Sequence, residues 1–313
     1  MTEGRKAKAG AKQEAKEGDG MILCFDIGGS RIKAALAESG PEALRYLGAK
    51  PTPIHDFEAF LQVLQDFASG HALKGVAISI AGIVDPETRK ITAANIPCAM
   101  GQDVTARIEA ALGLPVFLLN DADAFALAEA RQGAGRGHRN IFGVILGTGV
   151  GGGLILGGQL VQGAGGFAGE WGHGPVAPAP WDLPCGCGQK GCLDAVGAAR
   201  GIERLHQGLH AEDQPSTAIV AAWEAGEARA TRTVELWLDL MAGPLAMVVN
   251  VTGVSILPVG GGLASAPALI AALDQRLRAS ILRKTDRPLL VIAECQPEPG
   301  LIGAAEAGWE AFA

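Results

Sequence analysis

MILCFDIGG (21–29) and IFGVILGTGVGGG (141–153) decide the fold, because each is an apolar run of strand length that ends in a glycine-rich turn. The first leads into RIKAALAE (31–38), which reads as a half-buried strand. DFEAFLQVLQDFAS (56–69) then puts Phe57, Phe60, Leu61, Leu64, Phe67 and Ala68 on one helical face behind Asp56 as N-cap. GVAISIAG (75–82) is a buried strand, DVTARIEAAL (103–112) a helix, PVFLLND (115–121) a strand and ADAFALAEA (122–130) a helix. At 141–153 the order begins again. It continues through the hairpin LILGGQL, a helix from Arg229 to Val249, strand and loop VSILPVGGG (254–262), and a helix from Ala266 to Arg278. Strand LLVIA (289–293) and helix GLIGAAEAGWEAF (300–312) complete it. DIGGS corresponds to LGTGVGGG, and SIAGIVD (79–85) to PVGGGLA (258–264). The expectation is an α/β protein built from two βββαβαβα copies joined near residues 130–140, an inference from element order alone.

The chain has 313 residues, more than one ordinary domain. The expected division is a disordered tail at 1–20, an N-terminal α/β domain at 21–135 and a C-terminal one at 136–313. The final helix, 300–312, is expected to pack back on the N-terminal domain. The composition is 48% apolar and 19% charged with a net charge of −7, which argues against a nucleic-acid partner. Residues 1–20 mix Lys, Glu, Ala and Gly and lack the apolar run of a signal peptide, so a cytoplasmic protein is expected. Leu240–Leu273 carries no charge, but Pro244, Asn250, Pro258 and Gly260–Gly262 break it into core elements rather than a membrane span.

Four stretches carry chemistry. In DIGGS, Gly28 and Gly29 can turn N–H groups towards phosphate, Asp26 can meet hydrated Mg²⁺, and Ser30 adds a hydroxyl. An ordinary hairpin turn is the competing reading. GTGVGGG (147–153) is open to the same two readings, but glycine loops at equivalent places in two halves favour a nucleotide between them. In LLNDADAF (118–125), Asp121 could cap the following helix, or it could accept the hydroxyl proton that phosphoryl transfer requires. Asp123 is its local competitor. Finally, His173 of GEWGHGP (169–175) with Cys185, Cys187 and Cys192 of CGCGQKGC supplies one imidazole and three thiolates, a closed tetrahedral set suited to structural Zn²⁺. Such a metal would hold Glu170 and Asp194 near one place, where paired carboxylates suit vicinal sugar hydroxyls.

DIGGSRIK, SIAGIVD, AANIP, LLNDADAFALAEA, LGTGVGGGLI, GEWGH, CGCGQKGCLD, VGGGL and GLIGAA follow in this order from Leu23 to Ala311. In this the chain resembles the ROK family of bacterial sugar kinases and sugar-responsive repressors. The resemblance implies a two-domain actin-like (ribonuclease-H-like) ATPase fold, Mg-ATP as co-substrate, a structural zinc on His173, Cys185, Cys187 and Cys192, and a homodimer. It gives Asp121 the role of catalytic base, and makes Asn120, Glu170, His173 and Asp194 sugar ligands with Gly82 and Asn95 nearby. Asp26, Gly28, Gly29, Ser30 and Arg31 become one nucleotide loop; Gly147, Thr148, Gly149 and Gly151 become the other, with Gly261 beside them. Ser30 stands where the family usually has Thr, Arg31 where it has Lys, and Asp194 where it has Glu. VGAARG (196–201) departs from the family's Ser-Gly motif.

TPIHDFEAF (52–60), AANIP (93–97) and NDADAFALAEA look most like the N-acetylglucosamine kinases of that family, so the resemblance implies phosphorylation of the 6-hydroxyl of N-acetyl-D-glucosamine. GEWGH with PCGCGQKGC is similar to a fructokinase/mannokinase branch too, and a glucokinase stays open. The other function classes are a ROK-type repressor, which would need a helix-turn-helix ahead of residue 21, and an actin-like filament or chaperone ATPase, which leaves the cysteine cluster unexplained.

Overall fold

The computed structural model describes residues 20–93 and 95–312. The tail at 1–20, apart from Gly20, and Ala94 of AANIP lie outside the described residues. Two five-stranded sheets with the same strand order account for the duplication. In the first half, β1 (Met21–Ile27), β2 (Arg31–Ala37) and β3 (Leu44–Pro51) form an antiparallel meander. β4 (Leu73–Ile80) and β7 (Val116–Asn120) then add in parallel beside β1, giving β3-β2-β1-β4-β7. A hairpin of β5 (Ile83–Val84) and β6 (Ile91–Thr92) follows β4. In the second half β8 (Ile141–Leu146), β9 (Val150–Leu156) and β10 (Gln159–Val161) form the meander, and β11 (Leu257–Gly260) and β12 (Leu290–Ile292) complete β10-β9-β8-β11-β12. This is the expected βββαβαβα unit, twice.

Helices start where capping side chains stand. α1 (Phe57–Ala68) begins at Asp56, whose carboxylate accepts from the amides of Glu58 and Ala59, both at 3.0 Å. α2 (Val104–Leu112) begins at Asp103. One face of the first sheet, with Phe25 and Ile78, is covered by Phe60 and Leu64 of α1. The second half inserts three helices before its long one: α4 (Leu193–Val196), α5 (Ala199–His210) and α6 (Ser216–Glu224). α7 (Ala228–Thr252) is long and apolar enough to cross a membrane by length and composition, and here it buries Trp237, Met241 and Leu245 against Val144, Leu146 and α8 (Pro267–Ser280).

The two remaining helices are exchanged between the halves. α3 (Asp121–Arg131) grows directly out of β7, yet Ala126 and Leu127 pack against Ile141 and Ile155 of the second sheet. α9 (Pro299–Ala311) follows β12, yet Leu301, Ala304 and Ala305 pack against Ile22, Cys24 and Ala77 of the first sheet. α3 is buried continuously from Ala122 to Glu129, so it shows no polar stripe. Its neighbours come within backbone contact because they are glycines. A Cβ on Gly153 would lie 2.5 Å from the Ala122 carbonyl oxygen, and one on Gly303 of α9 would collide with the carbonyl oxygen of Ala124. The end of α3 is fastened by Glu129, fully buried, whose carboxylate accepts from the amides of Ala134 (2.9 Å), Glu294 (3.1 Å) and Cys295 (2.7 Å).

Candidate active site

The β7–α3 junction places Asn120 and Asp121 between the halves. Asn120 is the N-cap: its side-chain oxygen accepts from Ala122 (2.8 Å) and Asp123 (3.3 Å), and its amide donates to the Gly82 carbonyl at 3.0 Å. Asp121 occupies the first helical position, where its carboxylate also accepts from the Ala122 amide at 3.0 Å. It opens onto a cleft of about 450 Å³. The first half contributes Gly82, Ile83, Thr92, Asn95 and Asp121 to the cleft wall; the second contributes Thr148, Gly149, Gly151, Glu170, His173 and Asp194.

Asp121 is exposed to the cleft while protein crowds it from every other side. That loss of hydration, with the charge of Asp26 added, pushes its carboxyl up to about 6. A carboxyl near neutrality that faces an open cleft can take a proton and hold it. Asp123 is 4% exposed and off the cleft wall, and burial followed by the charges of Asp121 and Glu170 pushes it up to about 7. Burial also raises Glu170, against the pull of His173 and with Asp194 adding to the rise.

Segment 169–173 is pinned to β9 by Trp171, whose indole N–H donates to the Gly151 carbonyl at 2.9 Å. His173 turns its two ring nitrogens to different tasks. Nδ1 lies 3.7 Å from Cys185 Sγ, and Nε2 lies 3.7 Å from Glu170 Oε2. The ligand atoms of His173, Cys185, Cys187 and Cys192 all fall within 4.8 Å of one another, and the Cys187 and Cys192 sulfurs are 3.7 Å apart. A tetrahedral zinc with Zn–S bonds of ~2.3 Å spaces its sulfurs at ~3.8 Å, so this donor set fits that ion in both chemistry and size. Asp194 follows on α4. Its Oδ1 accepts from the amide of Val150 in the glycine loop at 2.8 Å, and its Oδ2 faces Cys185 Sγ at 3.7 Å.

The two nucleotide-loop candidates stand beside the cleft. Gly28 closes a turn with Arg31 at 3.0 Å; Ser30 and Arg31 are exposed; Gly29 abuts Asn95, where an added Cβ would lie 3.0 Å away. Gly261, at φ 86°, lies against Leu146 and Gly147, so the loops after β8 and β11 meet with no room for a side chain. Asp26, Lys33 and Ser79 are register partners across β2, β1 and β4. Ser79 Oγ donates to Asp26 at 3.3 Å, while Lys33 Nζ lies 3.7 Å from Asp26 and 2.6 Å from Glu298. Sequence reasoning passed over Lys33, although strand alternation across so short a turn places it opposite Asp26. It also passed over a second cavity, of about 410 Å³, between α6 and the start of α8, lined by Ser216, Thr217, Glu224, Gly262 and Pro267. The Ser216–Thr217 hydroxyls at the head of a helix were the available signal.

The ROK family model matches residues 22–307, a span that holds every one of these side chains. The chain belongs to the ROK family. An N-acetyl-D-glucosamine kinase of Yersinia pseudotuberculosis is 33% identical over 298 residues, covering 91% of this chain and 98% of that relative. Among solved structures, a ROK hexokinase from Thermus thermophilus superposes with a TM-score of 0.81 at 30% identity, covering 93% of this chain and 98% of that one. A ROK family glucokinase from Streptomyces griseus, in complex with glucose and AMPPNP, gives 0.72 at 28% identity over 92% and 98%.

Proposed function

We propose that this ROK protein is an ATP-dependent sugar kinase that phosphorylates the 6-hydroxyl of N-acetyl-D-glucosamine. The observation that carries the reading is Asp121, a carboxyl pushed up to about 6 that faces Glu170, His173 and Asp194 across one cleft, with the glycine loop of β8–β9 forming another side. The 33% identical relative over 91% of the chain supports N-acetyl-D-glucosamine as the acceptor, and the Streptomyces griseus glucokinase, in complex with glucose and AMPPNP, supports a nucleotide donor.

In this reading Glu170, Asp194 and the Nε2 side of His173 hold ring hydroxyls, and Asn95, the Gly82 segment and the remaining amide hydrogen of Asn120 bound the sugar from the first half. The nucleoside part of ATP takes the cavity at Ser216, Thr217 and Glu224. Its phosphates run along Gly147, Thr148, Gly149 and Gly151 past Gly261 towards Gly28, Gly29, Ser30 and Arg31. Asp26, at the end of β1 with Ser79 and Lys33 fixing its carboxylate, suits a hydrated Mg²⁺, which would neutralise phosphate charge. Asp121 accepts the proton of the sugar hydroxyl as that oxygen bonds to the γ-phosphorus and the bond from the γ-phosphorus to the bridging oxygen breaks, releasing ADP. His173, Cys185, Cys187 and Cys192 would hold a structural zinc that stiffens the segment carrying Glu170 and Asp194.

The same reading carries a division into units 21–135 and 136–313, a cytoplasmic setting consistent with a thiolate cluster, and a homodimer. Met247 and Val251, 61% and 77% exposed on an uncharged stretch of α7, are the surface a second copy would cover. The test of function is ADP release with N-acetylglucosamine, glucose, mannose and fructose. The expected result is the highest kcat/KM on N-acetylglucosamine; a higher value on any of the other three removes this acceptor.

A further inference from the structure

Two cavities meet at the β5–β6 hairpin. The cleft that contains Asp121 ends on Ile83 and Thr92, and the same two residues wall a separate cavity of about 270 Å³. Ile83 and Thr92 are register partners, so both side chains leave the hairpin on one face. The next pair, Val84 and Ile91, turns into the core of the first half. Across the cavity stand Met100 and Phe167, large apolar side chains left 45% and 56% exposed. Phe167 belongs to the second half. Its segment reaches the hairpin because Gly166, at φ 80°, lies against the Val84 carbonyl where no side chain fits. The cavity therefore spans both halves, as the cleft does, with an exposed hydroxyl at the shared edge, the apolar groups of Ile83, Met100 and Phe167 on one part of its wall, and Asp85, Thr88 and Lys90 on another.

We propose that this cavity receives the acyl group carried on carbon 2 of the sugar, with Thr92 meeting the amide and Ile83, Met100 and Phe167 meeting the acyl carbons. The inference rests on the acceptor proposed above and adds the residues that select it. A cavity of about 270 Å³ is far larger than an acetyl group, so the enzyme admits longer N-acyl chains as well. Glucose and mannose, with a hydroxyl at that carbon, leave the cavity unfilled and gain nothing from its walls.

The test compares kcat/KM for N-acetylglucosamine, N-butanoylglucosamine and glucose in the wild type and in Phe167→Trp, which narrows the cavity. The wild type is expected to turn over the N-butanoyl sugar. The variant is expected to lower the ratio of N-butanoyl to glucose kcat/KM by about tenfold or more, and the N-acetyl ratio by less. Met100→Trp repeats the measurement from the other wall should the first variant not fold. Ratios that stay level in both variants, or a wild type that rejects the N-butanoyl sugar, overturn the inference while leaving the proposed function standing. A wild type inactive on N-acetylglucosamine but active on glucose removes the proposed acceptor and this inference together.

Discussion

Asp194 Oδ1 accepts the backbone N–H of Val150 at 2.8 Å, so one carboxylate ties the cysteine-rich loop to the glycine loop. The same side chain also lines the cleft. Asp194→Asn keeps an acceptor for Val150 and loses the charge, so it should raise KM for the sugar by about tenfold and spare KM for ATP. Asp194→Ala, which also frees the Val150 amide, should raise both. Two-substrate kinetics on the pair of variants separates these outcomes, and equal behaviour of the two would show that the Val150 link is idle.

Asp121→Asn should leave sugar binding intact and lower kcat by ~10²–10⁴-fold, because it deletes the proton acceptor and little else. Asp123→Asn is the control from the same helix turn, and its kcat should stay within about threefold of wild type. If the two variants behave alike, Asp121 is not the base.

The pH profile follows from the same carboxyl. Asp121 works as a base only when ionised, and its carboxyl is pushed up to about 6. Thus kcat/KM should be level above pH 7 and fall tenfold per pH unit below about 6. Stability runs the other way. Asp123 is raised from 3.8 to about 7 in the fold, so its neutral form stabilises the protein at low pH, and that benefit is lost as pH rises through about 7. Asp123→Asn should therefore raise Tm at pH 8, with the gain shrinking towards pH 5. A gain that instead grew on acidification would reverse the assigned shift.

Purified protein should contain one zinc per chain by elemental analysis. Cys187→Ser should lose the metal and with it several degrees of Tm, because a closed site contributes its binding energy to folding. Protein purified without chelator and free of zinc would refute this.

Gly303→Ala tests the helix exchange. The added carbon would collide with the Ala124 carbonyl in the centre of the α3–α9 crossing. The expected cost is ~1–3 kcal/mol, read as a lower Tm. The same substitution at Gly243, with no atom near its would-be side chain, should leave Tm unchanged or higher.

Strands and amphipathic helices were legible because their periods survive in sequence: Asp56 caps α1 where expected, and β1 and β8 end at the two glycine turns. α5 and α6 were not. Gly201 and Gly208 interrupt α5, and glycine inside a helix weakens any pattern-based assignment. Glu129 reads as a surface acid near a helix end, and only the fold brings the Glu294 and Cys295 amides to it. The residues of the cleft could be named one by one from local motifs, but their meeting depends on chain segments 39 to 112 positions apart, as in Gly82, Asp121 and Asp194. The cavity at Thr217 joins α6 to the loop after β11, and the Ser216–Thr217 hydroxyls alone do not show that these two segments meet.

α3 leaves the first sheet at Asn120 and spends its length against the second, while α9 does the reverse. Each helix acts as an axle seated in the opposite wheel. Any change in the angle between the sheets must turn about the points where these helices join their strands, and one of those points is Asp121. On such a rotation, groups further from that pivot would sweep longer arcs than the carboxylate. The chemistry is thus placed where relative motion of the halves disturbs it least.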